Sequence, residues 1–363
     1  MHDRKSTFLA ISHFVHHHLL WFLIGVYAVA AVYPTFGLWI RNTSFGAIAV
    51  SQEKTHVSLL MILLSLLMFN AGLGVQPSHL RTVMQKKLVL VAGLTANLVV
   101  PMVYIFGVTL VMQFWYEPIE AQNTLIGLAL VAAMPIAGGS TAWAQNSNGN
   151  LALSLGLVLF STVLSPIVTP VALQVFGEMA AEDYEAVLQG LAAYGSVSFL
   201  GLWVVLPSVL GLLIRLTVRD TWLTPALPHI KLINSVDLLL LNYSNASVSL
   251  PQVIADHDID FLVVTVVITT GLCLIAFASG YGLSRLFKLN QAETVSLMYG
   301  LGMNNNGTGL VLASISLAAC PRVMVPIIFY NFAQHLVAGS VHEFMGRSPT
   351  TYESKNAPTR GAN

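Results

Sequence analysis

Apolar segments of about twenty residues, divided by short polar stretches, fill most of this chain, and each is long enough to cross a hydrocarbon core as a helix. Ten such spans are predicted, at roughly 19–40, 57–75, 88–113, 124–146, 150–176, 193–214, 230–248, 261–284, 293–318 and 323–345. The fourth and fifth are separated only by Asn146-Ser147-Asn148-Gly149-Asn150. From Ala121 to Gly177, 57 consecutive residues contain no Asp, Glu, Lys or Arg. A bilayer accounts for such a stretch, because a charge at its centre costs roughly 2.5–3.5 kcal/mol on insertion scales. The predicted fold class is an all-α polytopic membrane protein.

Composition agrees with this. The 363 residues are 55% hydrophobic and 9% charged, with mean hydropathy +0.73, whereas globular domains carry roughly 25% charged residues. Basic and acidic residues balance at 16 each, with no basic arm or patch to attract nucleic acid. Cys273 and Cys320 lie in or beside apolar segments, so neither a disulfide framework nor a zinc site is indicated. The first apolar segment, from about Leu19 to Ile40, exceeds a signal-peptide core and lacks a clear small-residue cleavage site, so it reads as a retained span. The polar tail after Arg347 is expected to be disordered.

With the N-terminus inside, 13 of the 16 Lys and Arg fall in inside segments; Arg41, Lys54 and Arg322 fall outside. The acidic segments Glu117–Glu120, Glu178–Glu185 and Asp256–Asp260 then face outside. Both termini are expected in the cytoplasm, as an even number of spans requires in a multi-pass protein of a cell membrane. The chain divides into a cytoplasmic N-terminus (1–18), a first five-helix repeat (19–176), an acidic outside connector (177–192), a second repeat (193–346) and a cytoplasmic tail (347–363). Because five is odd, the second repeat enters the membrane upside down, an inverted duplication common in secondary transporters.

The fourth span contains Pro135-Ile136-Ala137-Gly138-Gly139-Ser140-Thr141. The ninth, fourth in its own half, contains Gly300-Leu301-Gly302-Met303-Asn304-Asn305-Asn306-Gly307-Thr308-Gly309. Each Gly costs about 1 kcal/mol relative to Ala inside a helix, so helices 4 and 9 are predicted to be discontinuous. Interrupted helices at matching positions point to a midplane site where carbonyls, amides and half-helix ends meet ions and anions. Close helix packing is the plainer reading of such small residues. It does not explain three consecutive Asn.

These segments resemble the bile acid:sodium symporter family, of which the chain looks like a divergent member. Met68-Phe69-Asn70-Ala71-Gly72-Leu73-Gly74-Val75 followed by Pro77 resembles that family's "MFGMGL" with a nearby Pro. Pro135 through Ser154, then Ser161-Thr162-Val163-Leu164-Ser165-Pro166 and Thr169-Pro170, is similar to its fourth- and fifth-span pattern. Gly302-Met303-Asn304-Asn305 resembles "EVGMQN", and His335 with Gly339-Ser340 resembles "HN-x-SGS". The resemblance implies a panel domain of helices 1, 2, 6 and 7, a core domain of helices 3–5 and 8–10, two crossed broken helices and sodium-driven uptake of organic anions. It also implies ion-binding roles for Ser140, Thr141, Ser154, Leu301, Met303, Asn304 and Asn305. Aligning by the Gly-Gly pair instead moves the fourth-span positions by two. The chain departs from the pattern where the family's acidic sodium ligand becomes Gly300, its fifth-span Thr becomes Val158 and its third-span Gln becomes Ala96, beside Asn97. Without that carboxylate, any sodium site depends on neutral oxygens, which can hold an alkali ion as carbonyl-lined filters do.

Asn97, Asn306, His335 and Asp237 are the candidate substrate or coupling residues. Asp237 is an acid within a span, about 9 Å along its helix from Lys231, and either faces a cavity, where it could take a proton, or snorkels beside Lys231. His335, one turn after Asn331, either orients the ninth-helix break, carries a proton or simply packs. Asn70, Asn97 and Asn242 are potential interhelical hydrogen bonders. The run His16-His17-His18 reads as a metal ligand set or, more plainly, as a polar flank of the first span. Asn245-Ala246-Ser247 matches a glycosylation pattern near a helix end.

The sequence thus predicts a secondary active transporter of a small organic anion in a lipid bilayer. Sodium is the candidate ion; no other cofactor or metal and no nucleic-acid partner is expected, and the oligomeric state is open. A proton-coupled or uncoupled carrier on the same scaffold is the alternative. An inorganic oxyanion exporter would want a reactive Cys in the fourth span, and a non-transporting receptor would bind ligand without flux. There is no Walker A sequence and no evident nucleophile–base pair, so an enzyme is not expected.

Overall fold

The computed structural model describes residues 14, 18–50, 53–75, 78, 82, 86–178, 182–192, 196–218, 221, 225–255 and 258–345. The predicted N-terminal segment, apart from residues 14 and 18, and the predicted tail lie outside them. So do Arg81, Arg219 and the terminal basic residues used to orient the chain.

The first span is not one straight helix. Helix α1 (Leu19–Val32) stops before Pro34, and α2 (Thr35–Asn42) leaves at 92°. Proline drives the residue before it out of the helical region, and Tyr33 sits at φ −128°, ψ 74°. The chain then forms an antiparallel hairpin of β1 (Ser44–Val50) and β2 (Glu53–Ser58), which an all-α reading did not anticipate. Ser58 ends the hairpin and caps α3 (Leu59–Leu73), its hydroxyl accepting from the Met61 amide at 3.3 Å.

Helix α4 (Lys87–Met112) is followed by α5 (Pro118–Ala133), α6 (Gly139–Asn146) and α7 (Leu151–Glu178). Proline at the start of α5 has no amide to orphan, which lets the helix begin earlier than its apolar run. The acidic connector contains a helix of its own, α8 (Glu182–Gly190). Helix α9 (Ser196–Thr217) includes a π-helical turn at Gly201–Val205. Helix α10 (Leu227–Ala255) is longer than its apolar stretch, and α11 (Ile259–Leu286) begins at an Asp258 cap. A reciprocal Asn290–Glu293 capping box starts α12 (Gln291–Gly302). Then come α13 (Asn306–Ser316), a 3₁₀ turn (Pro321–Val323) and α14 (Met324–Met345).

Five of these segments, α4, α7, α9, α11 and Pro321–Met345, are long and apolar enough to cross a membrane, and the bent α1–α2 pair makes a sixth. Their outer faces carry Val103, Val111, Ile167, Val267 and Leu274, all exposed. A water-facing surface has no use for so many long apolar helix faces, while hydrocarbon does. The molecule is a multi-pass α-helical membrane protein.

Helix α3 packs along α9, and α10 along α1, α2 and α3; α11 packs along α12, α14 and α4, and α14 also along α5. The α3–α9 contact is backbone to backbone. A Cβ on Gly72 would stand 2.1 Å from the Ser208 carbonyl oxygen, and one on Gly211 2.1 Å from that of Phe69. Only glycine fits at either place.

Candidate functional site

The two Gly/Asn stretches are both broken, and the breaks meet. Between α5 and α6 the chain runs unwound through Met134–Gly138, and between α12 and α13 through Met303–Asn305. Ile136 and Asn304 pair as an isolated antiparallel bridge. The Ala137 amide donates to the Met303 carbonyl at 2.9 Å, and the Asn305 amide to the Pro135 carbonyl at 2.8 Å.

Broken helices leave backbone groups that hydrocarbon cannot satisfy, so each needs a protein partner. Side chains from neighbouring helices supply them. Ser161 accepts from the Ile136 amide at 3.1 Å, and Thr169 donates to the Ala133 carbonyl at 2.5 Å. Asn304 Nδ2 donates to the Val131 carbonyl at 2.9 Å, and the Tyr330 hydroxyl to that of Gly302 at 3.1 Å. Asn305 Oδ1 accepts from the Thr308 amide at 3.2 Å and so caps α13. Its Nδ2 rests on Met68 Sδ at 3.5 Å.

After this accounting, several acceptors remain. Ser140 Oγ, Asn304 Oδ1, Asn306 Oδ1 and Thr308 Oγ1 are buried and have no hydrogen-bond partner. All four belong to the two breaks or to the first turns of the half-helices that follow, where the positive helix ends lie. Buried polar atoms without partners are uncommon in folded proteins. Thr141 is engaged instead: its Oγ1 accepts from Ser154 Oγ at 3.0 Å. Met303 offers the site only its carbonyl, since its side chain is packed in the core.

At Gly300, where the resemblance would put an acidic ligand, the Leu157 side chain takes up the space. A Cβ on Gly300 would lie 2.7 Å from Leu157 Cδ1. Leu157 is fully buried in a cluster with Ile136, Ala152, Leu153, Leu297 and Leu301. The side of Leu301 that could meet an ion is therefore its backbone, and this flank of the crossing is apolar.

Asn97 reaches the break from α4. It lines a small cavity of about 50 Å³ together with Met134, Pro135, Ser161 and Thr169, and its Oδ1 is unpaired. Asn306 is held by Gln334, a residue that did not stand out in the sequence. Gln334 Oε1 accepts from the Asn304 amide at 3.1 Å and from Asn306 Nδ2 at 3.0 Å, while its Nε2 donates to Asn331 Oδ1 at 3.1 Å. Asn331 Nδ2 donates onward to Tyr27 Oη at 2.8 Å and Asn242 Oδ1 at 3.0 Å, and Tyr27 donates to Asn242 at 2.7 Å. One hydrogen-bonded chain thus joins the second break to α14, α10 and α1.

His335 stands on α14 near this chain without a side-chain hydrogen bond to any described residue. Asp237 does not snorkel toward Lys231: it is 2% exposed, and neither carboxylate oxygen has a partner. Ser147 and His342 do form a hydroxyl–imidazole contact, at 2.9 Å, which the sequence did not suggest. The Ser147 hydroxyl is also 2.8 Å from Tyr299 Oη, so it fastens the end of α6 to α12 and α14. Of the triple-His run, His18 alone is described, bonded to the Phe14 carbonyl. Among the described residues no group of three His, Cys, Asp or Glu could hold a metal.

Long apolar helices around two crossed, unwound segments define the transporter class of membrane protein, in which irregular backbone is kept where it lines a site. Comparison with known proteins narrows that class. Residues 61–256 match the Sodium Bile acid symporter family. The chain belongs to that family. It is 24% identical over 329 residues to the "uncharacterized sodium-dependent transporter YocS" of Bacillus subtilis strain 168, covering 90% of this chain and 93% of that protein. It is also 27% identical over 219 residues to the "uncharacterized protein YbaS" of the same strain, covering 59% of this chain and 66% of that protein.

Proposed function

We propose that this protein is a secondary carrier of a small organic anion in a cell membrane, coupled to one sodium ion at the crossing of its broken helices. The observation that carries the reading is the set of unpaired buried oxygens, Ser140 Oγ, Asn304 Oδ1, Asn306 Oδ1 and Thr308 Oγ1, at an antiparallel meeting of two unwound segments. A sodium ion there would gain the neutral oxygens that now lack partners. The positive ends of α6 and α13 would meet the anion's charge. Asn97 and its cavity would lie on the substrate's path. A second ion, of the kind that needs an acid at Gly300, has no place beside Leu157.

In this reading the ten predicted spans form two inverted halves of five, 19–176 and 193–346, with both termini in the cytoplasm. The panel comprises α1–α3, α9 and α10. It rocks against a core of α4–α7 and α11–α14, and the Gln334–Asn331–Asn242–Tyr27 chain crosses between them. The packing of α3 on α9 and of α10 on α1 supports that division. The printed description of YocS as sodium-dependent supports sodium as the ion.

The test is uptake into liposomes containing the purified protein, under an imposed sodium gradient, of a bile salt, a keto acid and a sulfonated metabolite. Uptake of at least one anion that collapses when choline or potassium replaces sodium is expected. Uptake indifferent to that replacement would overturn the sodium assignment.

A further inference from the structure

Helix α10 carries an acid that the crossing does not use. Asp237 lies ten residues into Leu227–Ala255, about 15 Å along the axis from its first residue at 1.5 Å per residue. It is 2% exposed, and both carboxylate oxygens lack a partner. One turn earlier, Asn234 Oδ1 is likewise buried and unpaired. Residues three apart are neighbours on a helix surface, so three unpartnered oxygens share one turn.

The groups on the elements packed against α10 do not relieve this. On α1, Tyr27 is bonded to Asn242 and Asn331; on α2, Arg41 is bonded to the Ser314 carbonyl. In the 3₁₀ turn, Arg322 pairs with Asp258. On α14, Tyr330 is bonded to Gly302 and His342 to Ser147. His335 and Glu343 of α14 make no bond to Asp237, nor do His229, Lys231 and Tyr243 of α10 itself. Helices α3 and α13 contain no titratable side chain.

A metal cation or a proton would satisfy the Asp237 carboxylate. Hard cations gather about six oxygens or more, and one helical turn offers three. A proton needs only one. Added to Asp237, it removes a charge from a buried site and creates an O–H for which Asn234 Oδ1, one turn away, is an available acceptor. Five residues further along α10, Asn242 joins the chain that ends on the backbone of Asn304. A change of charge at Asp237 therefore acts on a helix tied directly to the second break.

We propose that Asp237 is a proton-binding site of this carrier, loaded from water on one side of the membrane and discharged to water on the other as α10 moves. One proton adds to a carboxylate oxygen and later leaves it, and no electrons move. The proposal rests on the carrier reading but not on the sodium assignment.

Infrared difference spectra of the full-length protein in lipid vesicles, titrated from acidic to alkaline pH, test it. The wild type should show the carbonyl stretch of a protonated, buried carboxyl that disappears on alkalinisation, with complete loss of that band in Asp237→Asn. In Asn234→Leu, which removes the acceptor, the band should remain but shift in frequency. Sodium added to the vesicles should leave it unchanged. A wild-type spectrum with no Asp237-dependent band, or with a band that never titrates, would overturn the proposal. Failure of every anion to cross while the band titrates would instead overturn the carrier reading and leave the proton site standing.

Discussion

Replacing Gln334 with Leu removes the joint between the second break and the rest of the polar chain while nearly conserving volume. Three hydrogen bonds go, and two buried donors, the Asn304 amide and Asn306 Nδ2, lose their acceptor. Interhelical hydrogen bonds in a membrane average about 0.6 kcal/mol, which sets a lower bound near 2 kcal/mol for three. Orphaned buried groups cost about 1–3 kcal/mol each, which places the upper bound for the two donors near 6 kcal/mol. The loss should appear in SDS unfolding curves followed by circular dichroism, with Ser340→Ala, an exposed hydroxyl on the same helix, as control. A loss below about 0.5 kcal/mol, the range of ordinary surface substitutions, would refute the claim that Gln334 holds the break.

Other substitutions probe separate parts of the account. Gly211→Ala puts a methyl group where the Phe69 carbonyl lies 2.1 Å away, so α3 and α9 must part; a stability loss of about 1–3 kcal/mol is expected in the same assay, and an unchanged curve would deny the backbone contact. Gly300→Glu alone should destabilise the protein, since the new side chain meets Leu157 at 2.7 Å and brings a buried charge costing roughly 2.5–3.5 kcal/mol. Gly300→Glu with Leu157→Ala makes room for the acid, so sodium should raise its melting temperature more than potassium does and more than in the wild type. Equal responses to the two ions would mean that the flank beside Leu157 is not a lost cation site.

The breaks were legible because their signal is local. Pro135, the glycines and the three consecutive Asn are poor helix interior wherever they occur, and they interrupt helices where expected. The first-span bend also has a local cause at Pro34, but an apolar run long enough to span masked it. What escaped was set by partners distant in the chain. Gln334 reads as one amide in an apolar span until its contacts 28 and 30 residues away place it beneath the break. Leu157 is an ordinary leucine in sequence, and only the packing shows that it fills the space an acid at Gly300 would need. The hairpin Ser44–Ser58 is pinned by cross-strand pairing, which a search for long apolar runs does not register. The expected seventh span, 230–248, ends just before Ser249 and already holds Ser244, Asn245 and Ser247. All four are buried within α10, which continues to Ala255.

If the carrier reading holds, transport happens where the two breaks meet. Cysteines at Ala137 and Met303, which keep the one carbonyl that Met303 offers the site, in a protein whose Cys273 and Cys320 are replaced by Ser, address it directly. Facing residues of such an antiparallel pair have Cα atoms about 5.5 Å apart, within disulfide range. Oxidation should form an intramolecular crosslink that stops anion uptake in liposomes, and reduction should restore it. No crosslink, or a quantitative crosslink with uptake unchanged, would contradict the account.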